Sequence, residues 1–300
     1  MDDLQMVRTI AGDVACDDLG VVNAHDHLFL TSAAMAGVEL DNLEAATEEA
    51  HAFGLAGGGC IVQWSPAGTR RHLADLRRMS STINIHIIAA TGRHLRAHYP
   101  ADADIAALSA DSLTARFIDD IQHQRCGLIK IATGYWTLDP FERDHVAAAA
   151  AAAGHTGAPI AVHLERGTGA SQVVDLLEDL GLQPEQIILG HLGRFPDLAS
   201  IRAVLDRGVY ACFDAPSLGN HATDWRTPGL LNDLINAGHL HQLLLGADTT
   251  SQLAQPASGG APGTSNFLTW ARQIIGPVVG TTDLSQILTT NAHQAYALRQ

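Results

Sequence analysis

The chain has 300 residues, and its 32 Asp and Glu against 18 Lys and Arg give a formal net charge of −14. Hydrophobic residues make up 46 % of the sequence and charged residues 17 %, a balance that excludes intrinsic disorder. No apolar run approaches the ~20 residues that cross a bilayer, so no membrane partner is expected. The acidic composition also argues against nucleic acid as a partner, because phosphate binding needs a basic surface.

The cysteines and the N-terminus indicate the cellular compartment. The four cysteines are far apart and form no CxxC pair, so we expect reduced, buried thiols rather than disulfides. The first three residues are acidic and lack the basic start and apolar stretch of a signal peptide. These features predict a cytoplasmic protein.

Eight short apolar runs, separated by segments with a helical pattern, predict eight β–α units. The runs are 19–24, 59–64, 83–90, 127–132, 158–164, 186–190, 208–214 and 242–247. The helical segments include 42–57, 103–122, 141–154 and 169–180. Each run is nearly continuously hydrophobic, which is typical of parallel strands buried on both faces. Eight such units in a chain of this length favour a closed (β/α)8 TIM barrel.

An open, doubly wound α/β sheet is the alternative fold. Such a sheet carries a Gly-rich phosphate turn after its first strand, but here that position reads His25-Asp26-His27. No linker or charge run divides the chain, so we expect one domain over residues 1–300. The segment 255–265, rich in Gly, Pro and Ser, is a candidate lid over the C-terminal face of the barrel, or an inert surface loop.

Metal-ligand and titratable residues stand at the ends of five predicted strands, where the catalytic groups of such barrels lie. They are His25, His27, Lys130, His163, His191 and Asp248. The first two are two residues apart and therefore share one face of their strand. Taken singly, each residue has an ordinary structural explanation, such as a hydrogen-bonded core histidine or a helix-capping aspartate. Their coincidence at five strand ends favours a convergent site on the barrel axis.

This pattern resembles the phosphotriesterase family of the amidohydrolase superfamily over nearly the whole chain. The segments that carry the resemblance are 7–13, 19–20, 25–28, 56–58, 91–92, 127–130, 190–192 and 288–291. The resemblance implies that CO₂ carboxylates Lys130 to a carbamate that bridges two divalent ions. It also implies that His25, His27 and Asp248 bind the inner ion, and that His163 and His191 bind the outer one. Histidine and carboxylate ligands favour Zn²⁺.

The resemblance further implies hydrolysis by a metal-bound hydroxide, with Asp248 as the proton acceptor, and a homodimeric protein. The organophosphate-cleaving members carry an Asp after the sixth-strand His and a His after the seventh strand. Gly193, Arg194 and Ala215 stand in these segments here. This difference favours a lactone, carboxylic ester or phosphoester over a phosphotriester. Three alternatives remain. They are an amide hydrolase of the same family, a mononuclear deaminase-type enzyme with unmodified Lys130, and a metal-binding barrel that has lost its catalytic activity.

Residues near the strand ends suggest the kind of substrate. Arg93, Arg166 and Arg194 follow predicted strands three, five and six and would give the pocket mouth a positive charge. A cationic mouth favours a small anionic substrate, although these arginines would alternatively pair with acidic neighbours and hold loops. Trp64 and Tyr135 also lie at strand ends and are candidates for lining the pocket, with plain packing as the alternative.

Overall fold

A computed structural model describes residues 5–217, 222–254 and 263–299, so residues 255–262 of the candidate lid lie outside the described part. Within that part the chain forms ten strands. They are β1 (Met6–Arg8), β2 (Asp13–Ala15), β3 (Val22–Asp26), β4 (Cys60–Gln63), β5 (His86–Arg93), β6 (Leu128–Thr133), β7 (Ile160–Leu164), β8 (Ile187–Gly190), β9 (Tyr210–Asp214) and β10 (Leu243–Gly246).

Strands β3 to β10 form one sheet in chain order, and every neighbouring pair is parallel. The last strand lies against the first, because the amide of Asp248, just after β10, donates a hydrogen bond of 2.9 Å to the carbonyl of His25 in β3. The predicted (β/α)8 barrel is thereby confirmed, and the eight predicted strands correspond to β3 through β10.

Among the described residues, helices connect the barrel strands, and four more follow the last strand. They are α1 (Leu43–Leu55), α2 (Leu73–Ile83), α3 (Asp104–Ala107), α4 (Ala110–Gln122), α5 (Pro140–Thr156), α6 (Ala170–Asp179), α7 (Leu198–Leu205), α8 (Thr227–Asn236), α9 (Phe267–Trp270), α10 (Gly276–Val279), α11 (Thr281–Leu288) and α12 (Thr290–Ala295). The segment expected as one helix at 103–122 is divided, since Ser109 is extended and caps α4 through the amide of Ser112. No helix in the described ranges is long and apolar enough to cross a membrane.

The hydrophobic core has two layers because side chains alternate between the faces of each strand. One layer fills the space between the sheet and the helices. The other fills the barrel axis with Val22, Cys60, Ile88, Leu128 and further residues of β7 to β10. The C-terminal ends of the strands lie beyond this inner layer, which therefore forms the floor of any site on the axis.

Candidate metal centre

A cavity of about 270 Å³ opens at the C-terminal ends of the barrel strands. Its walls bring together all six residues that the sequence predicted as ligands, although their metal binding stays a prediction. The polar side chains around it are His25, His27, His94, His98, Lys130, His163, Glu165, His191, Arg194, Ser217, Asp248 and Thr250. Five strands and the segments that follow them supply the predicted ligands.

Strand alternation explains why these side chains reach the axis. Leu128 fills the barrel interior, so Lys130, two residues further along β6, points to the same side. The same step of two or four residues leads from Ala161 to His163 in β7 and from Leu244 to Asp248 after β10. In β3 the register against β4 shifts between Asn23 and Asp26. Val22 and Ala24 face the barrel interior, so regular alternation would turn residues 25 and 27 toward the helices. The shift in register instead lets both histidines face the cavity.

Three ligand atoms converge at one side of the cavity. The Nε2 atoms of His25 and His27 lie 3.2 and 3.5 Å from Oδ1 of Asp248. All three residues are at least 95 % buried, and the three ligand atoms lie within 4.8 Å of one another. Burial by itself raises the pKa of Asp248, but the neighbouring imidazoles outweigh it and hold that pKa below its usual range. The carboxylate is therefore ionised and available to a cation.

Two neighbouring residues fix the tautomers of these histidines. Nδ1 of His25 donates to Oδ1 of Asp214 at 3.0 Å. Nδ1 of His27 donates at 2.7 Å to Oγ of Ser65, whose own proton goes to the carbonyl of Phe29. Both Nε2 atoms therefore point toward Asp248. Two imidazole nitrogens and a carboxylate oxygen that face one another fit a divalent cation, which would replace any proton between them.

Lys130 is the single lysine among the 300 residues, and it is only 2 % exposed in the middle of β6. Within the described residues no carboxylate comes within ion-pair distance of its Nζ, which is an unusual state for a buried ammonium. Burial lowers the pKa of Lys130 to about 7. The amine is consequently available in its neutral form near neutral pH, and a neutral amine is the form that reacts with CO₂.

His163 and His191 form the opposite side of the cavity, with ring centroids 4.4 Å apart. Nδ1 of His191 donates to Oδ2 of Asp214 at 2.6 Å, so its Nε2 is free to bind an ion. Nε2 of His163 instead lies 3.0 Å from Oε2 of Glu165. Burial lowers the pKa of His163 to about 4, which keeps the imidazole neutral. An ion bound through Nε2 of His163 would have to replace Glu165 at that nitrogen.

Arg194 is the one arginine that lines the cavity in the described part of the chain. It ends a short turn, Leu192–Arg194, that begins directly after His191. Its Nη2 donates to Oδ2 of Asp248 at 2.5 Å and lies 3.8 Å from Asp214. Arg194 therefore pairs with acidic neighbours, and the nearer of the two is the predicted ligand Asp248.

The structure places the other candidate substrate-binding residues outside the cavity lining. Arg93 is 1 % exposed and pairs with Ile131 in the register of β5 and β6, so alternation turns it toward the helices. There its guanidinium lies 3.7 Å from the centroid of the Phe141 ring. Trp64 is fully buried beneath the cavity and stacks on His25 at 3.8 Å. Arg166 and Tyr135 are exposed and do not line the cavity.

The sequence did not predict three residues that contact the candidate site. Asp214 bridges the Nδ1 atoms of two predicted ligands. His94 and His98 line the cavity beside His163, and their ring centroids lie 3.7 Å apart with the planes tilted by 37°. The signal for Asp214 and His94 was present, because both follow the interior positions Cys212 and Ala90 by an even number of residues. His98 lies in a connecting segment, for which alternation predicts nothing.

Comparisons with known proteins agree with this geometry. A model of the phosphotriesterase family matches residues 5–296. Phospho-furanose lactonase of Mycoplasmopsis agalactiae is 28 % identical over 236 residues, which are 71 % of this chain and 67 % of that protein. N-acetyltaurine hydrolase of Salmo salar is 26 % identical over 63 % of this chain and 65 % of its own length. A lactonase of Listeria monocytogenes, 22 % identical, superposes with a TM-score of 0.91 over 98 % of this chain and 100 % of that one. The chain therefore belongs to the phosphotriesterase family of hydrolases.

Proposed function

We propose that this hydrolase is a lactonase that uses two Zn²⁺ ions and a carbamate on Lys130 to open a small anionic lactone. The observation that carries the proposal is the convergence of the His25 and His27 Nε2 atoms on Oδ1 of Asp248. Buried imidazole nitrogens and a carboxylate this close together need protons or a metal cation among them, and their number and type suit a metal. The buried amine of Lys130 lies in the same cavity.

The residues divide into two ligand sets. His25, His27 and Asp248 would hold the inner ion, and His163 and His191 the outer one. Lys130, as the carbamate, would join both. When bound, such ions polarise a carbonyl as Lewis acids and acidify water, which supplies the nucleophile near neutral pH. Asp248, ionised in this environment, is the residue placed to accept a proton from the attacking water.

Arg194 supports an anionic substrate. Its guanidinium lies at the cavity wall beside Asp248, and a guanidinium binds phosphate or carboxylate through paired N–H donors. The name phospho-furanose lactonase denotes a phosphorylated lactone as the substrate of that relative. We therefore propose a small sugar lactone that carries a phosphate group. Amide hydrolysis is the second candidate, favoured by the similarity to N-acetyltaurine hydrolase.

Metal and carbamate analysis tests the centre directly. Protein purified without chelator and supplied with ¹³C-bicarbonate should contain about two equivalents of zinc by mass spectrometry. Because Lys130 is the single lysine, a ¹³C carbamate resonance that disappears in Lys130→Ala is assigned without ambiguity. The variant should also lose metal. Zero or one equivalent that zinc and bicarbonate do not raise would contradict the binuclear centre.

A substrate panel tests the activity. The panel contains phosphorylated furanose lactones, the same lactones without phosphate, and N-acetyltaurine. Arg194→Gln should raise KM for a phosphorylated lactone by about tenfold or more relative to the neutral lactone, as the loss of a charged hydrogen bond predicts. Arg166→Gln is the matched control, since Arg166 is exposed outside the cavity. Equal effects of Arg194→Gln on both lactones would contradict the anionic substrate, and turnover of N-acetyltaurine alone would favour the amidase.

A further inference from the structure

Asp26 stands between the two cavity histidines in sequence, but it does not line the cavity. It is fully buried at the seam where β3 meets the segment after β10. Its Oδ1 accepts hydrogen bonds from the amides of His27 and Thr249, at 2.8 and 2.9 Å. Its Oδ2 accepts from Nδ2 of Asn23 at 2.5 Å and from Oγ1 of Thr264 at 2.7 Å. All four donors are neutral, and no Lys or Arg side chain of the described residues forms an ion pair with this carboxylate.

Asn23 completes the arrangement. While its Nδ2 donates to Asp26, its Oδ1 accepts the amide of Ala247 at 2.9 Å. Three consecutive amides, 247 to 249, therefore bond to β3: the first to Asn23 Oδ1, the second to the carbonyl of His25 and the third to Asp26 Oδ1. The middle amide of the three belongs to Asp248, the proposed inner-ion ligand.

Asp248 needs this support because of its backbone. Its φ is 48°, a left-handed conformation that non-glycine residues adopt only when their surroundings enforce it. Neighbouring Gly246 passes so close to β3 that an added Cβ would lie 2.5 Å from the Cβ of His25. The close approach and the three amide bonds together determine where the Asp248 side chain meets the histidines.

We propose that Asp26 and Asn23 are positioning residues that hold Asp248 opposite His25 and His27, so that the inner metal site is assembled by closure of the barrel seam. The metal part of this proposal rests on the function proposed above. The positioning of Asp248 is a property of the metal-free chain and is measured there independently.

The hydrogen-bond donors decide which substitutions are informative. In Asp26→Asn, one of the two carboxylate oxygens becomes an NH₂ group. Each oxygen accepts hydrogen bonds from two donors, so the NH₂ group faces donors whichever oxygen it replaces. If it faces Asn23, that amide has to turn to offer its oxygen, and it then loses the amide of Ala247. The exchange variant Asn23→Asp/Asp26→Asn removes the conflict. An aspartate at 23 accepts both from the amide of Ala247 and from the new amide at 26, and the charge of the pair is kept.

The experiment compares the single and exchanged variants with a matched control. Asp120→Asn alters another carboxylate that is 1 % exposed and bonds Arg71 and Thr91 away from the cavity. Hydrogen exchange of metal-free protein reports the protection of amides 247–249 against that of β6. Chelator competition with Zn²⁺, and the visible spectrum of the Co²⁺-loaded protein, report the inner site.

Asp26→Asn should accelerate exchange at 247–249 and weaken Zn²⁺ binding by about tenfold or more, the usual effect of losing an outer-shell partner. The exchanged pair should restore both to within about threefold of wild type, a margin expected for recovered coupling. Asp120→Asn should lower thermal stability without either effect.

Three outcomes would each overturn the proposal. They are wild-type hydrogen exchange at 247–249 in Asp26→Asn, failure of the exchanged pair to restore wild-type exchange and Zn²⁺ binding, and the same changes in Asp120→Asn. Should Asp26→Asn not fold, Asn23→Ser removes both the acceptor of the Ala247 amide and the Nδ2 donor to Asp26. Unchanged exchange at 247–249 in that variant would overturn the proposal equally. Wild-type protein that binds no metal contradicts the proposed function, while the exchange data on metal-free protein still decide the positioning role.

Discussion

Asp214 illustrates how one side chain determines the orientation of others. Its two oxygens accept from Nδ1 of His25 and Nδ1 of His191, which belong to different sides of the cavity. In Asp214→Asn, one oxygen becomes a donor that faces an imidazole N–H, so one ring must turn. We expect metal affinity to fall by about 10- to 100-fold, the range found for such outer-shell partners, as measured by chelator competition.

The control for Asp214 is a carboxylate–imidazole pair elsewhere. Asp119 lies 3.0 Å from Nδ1 of His123 on the exposed side of α4, so Asp119→Asn removes similar chemistry without touching the cavity. It should leave metal affinity unchanged. Equal affinities in Asp214→Asn and wild-type protein would show that the imidazoles are held by packing, for example by the stacking of Trp64 on His25, and not by this carboxylate.

At the residue scale, the sequence predicted which residues lie at strand ends better than it predicted the direction in which their side chains point. Lys130 and His163 lie within apolar runs, so their place in a strand followed from hydrophobicity alone. Arg93 was misplaced because the predicted strand ended at residue 90, whereas β5 continues to Arg93. Alternation from the interior residue Ala90 then turns residue 93 toward the helices. Trp64 does face the axis, but the barrel floor is packed there. Hydrogen-bond partners such as Asp214 depend on distances between strands, which one sequence does not encode locally.

At the scale of the element, α5 shows how small side chains set a helix close to the sheet. Its alanines at 148, 149, 152 and 153 are at most 1 % exposed. The helix packs on α4 and on β6 and β7, the strands of Lys130 and His163. Ala152→Leu adds volume where no space exists, so we expect the free energy of unfolding to fall by about 1–3 kcal/mol. Urea denaturation measures this change.

The adjacent alanine is the control for helix propensity. Ala151 is exposed on the same helix, and Ala151→Leu makes the same chemical change outside the interface. Its effect should stay within about 0.5 kcal/mol, as for most surface substitutions. If the two variants lost equal stability, close packing of α5 on the sheet would not be the reason for its alanine run.

The sequence predicted the ends of strands and helices less accurately than it predicted their presence. The first barrel strand begins at Val22 rather than 19, since Cys16–Leu19 forms a 3₁₀ turn. The third begins at His86 rather than 83, because α2 extends to Ile83. The hairpin of β1 and β2 was missed. Its strands have three residues each, and Val7 also bridges Ala297 near the other end of the chain, a contact that no local pattern predicts.

At the scale of the whole molecule, many imidazoles are buried in neutral form. Burial is the largest cause that lowers the pKa of His98 and His145 to about 3, and it also holds the pKa of His94 well below its usual value. The unfolded chain binds protons at these groups near its ordinary histidine pKa of about 6.5, whereas the folded chain does not. Their contribution to stability is complete above that pH and is lost progressively as the pH falls toward the folded pKa values.

His145 isolates one such contribution, because it lies outside the cavity between α5 and the sheet. Its Nε2 donates to the carbonyl of Ala132 at 2.7 Å, and its Nδ1 accepts from Nε of Arg93 at 3.3 Å. Between pH 7.5 and pH 5, protonation linked to this group should lower the free energy of unfolding by about 2 kcal/mol, as measured by urea denaturation in chelator.

His145→Gln keeps a donor but cannot be protonated. Over the same pH interval, the loss in its free energy of unfolding should therefore be smaller than the wild-type loss by about the same 2 kcal/mol. The exposed His123→Gln should keep the wild-type pH dependence. Glu49, whose pKa burial raises, acts in the opposite direction but equally in all three proteins. An identical slope in His145→Gln and wild type would show that the buried imidazole is protonated in the fold.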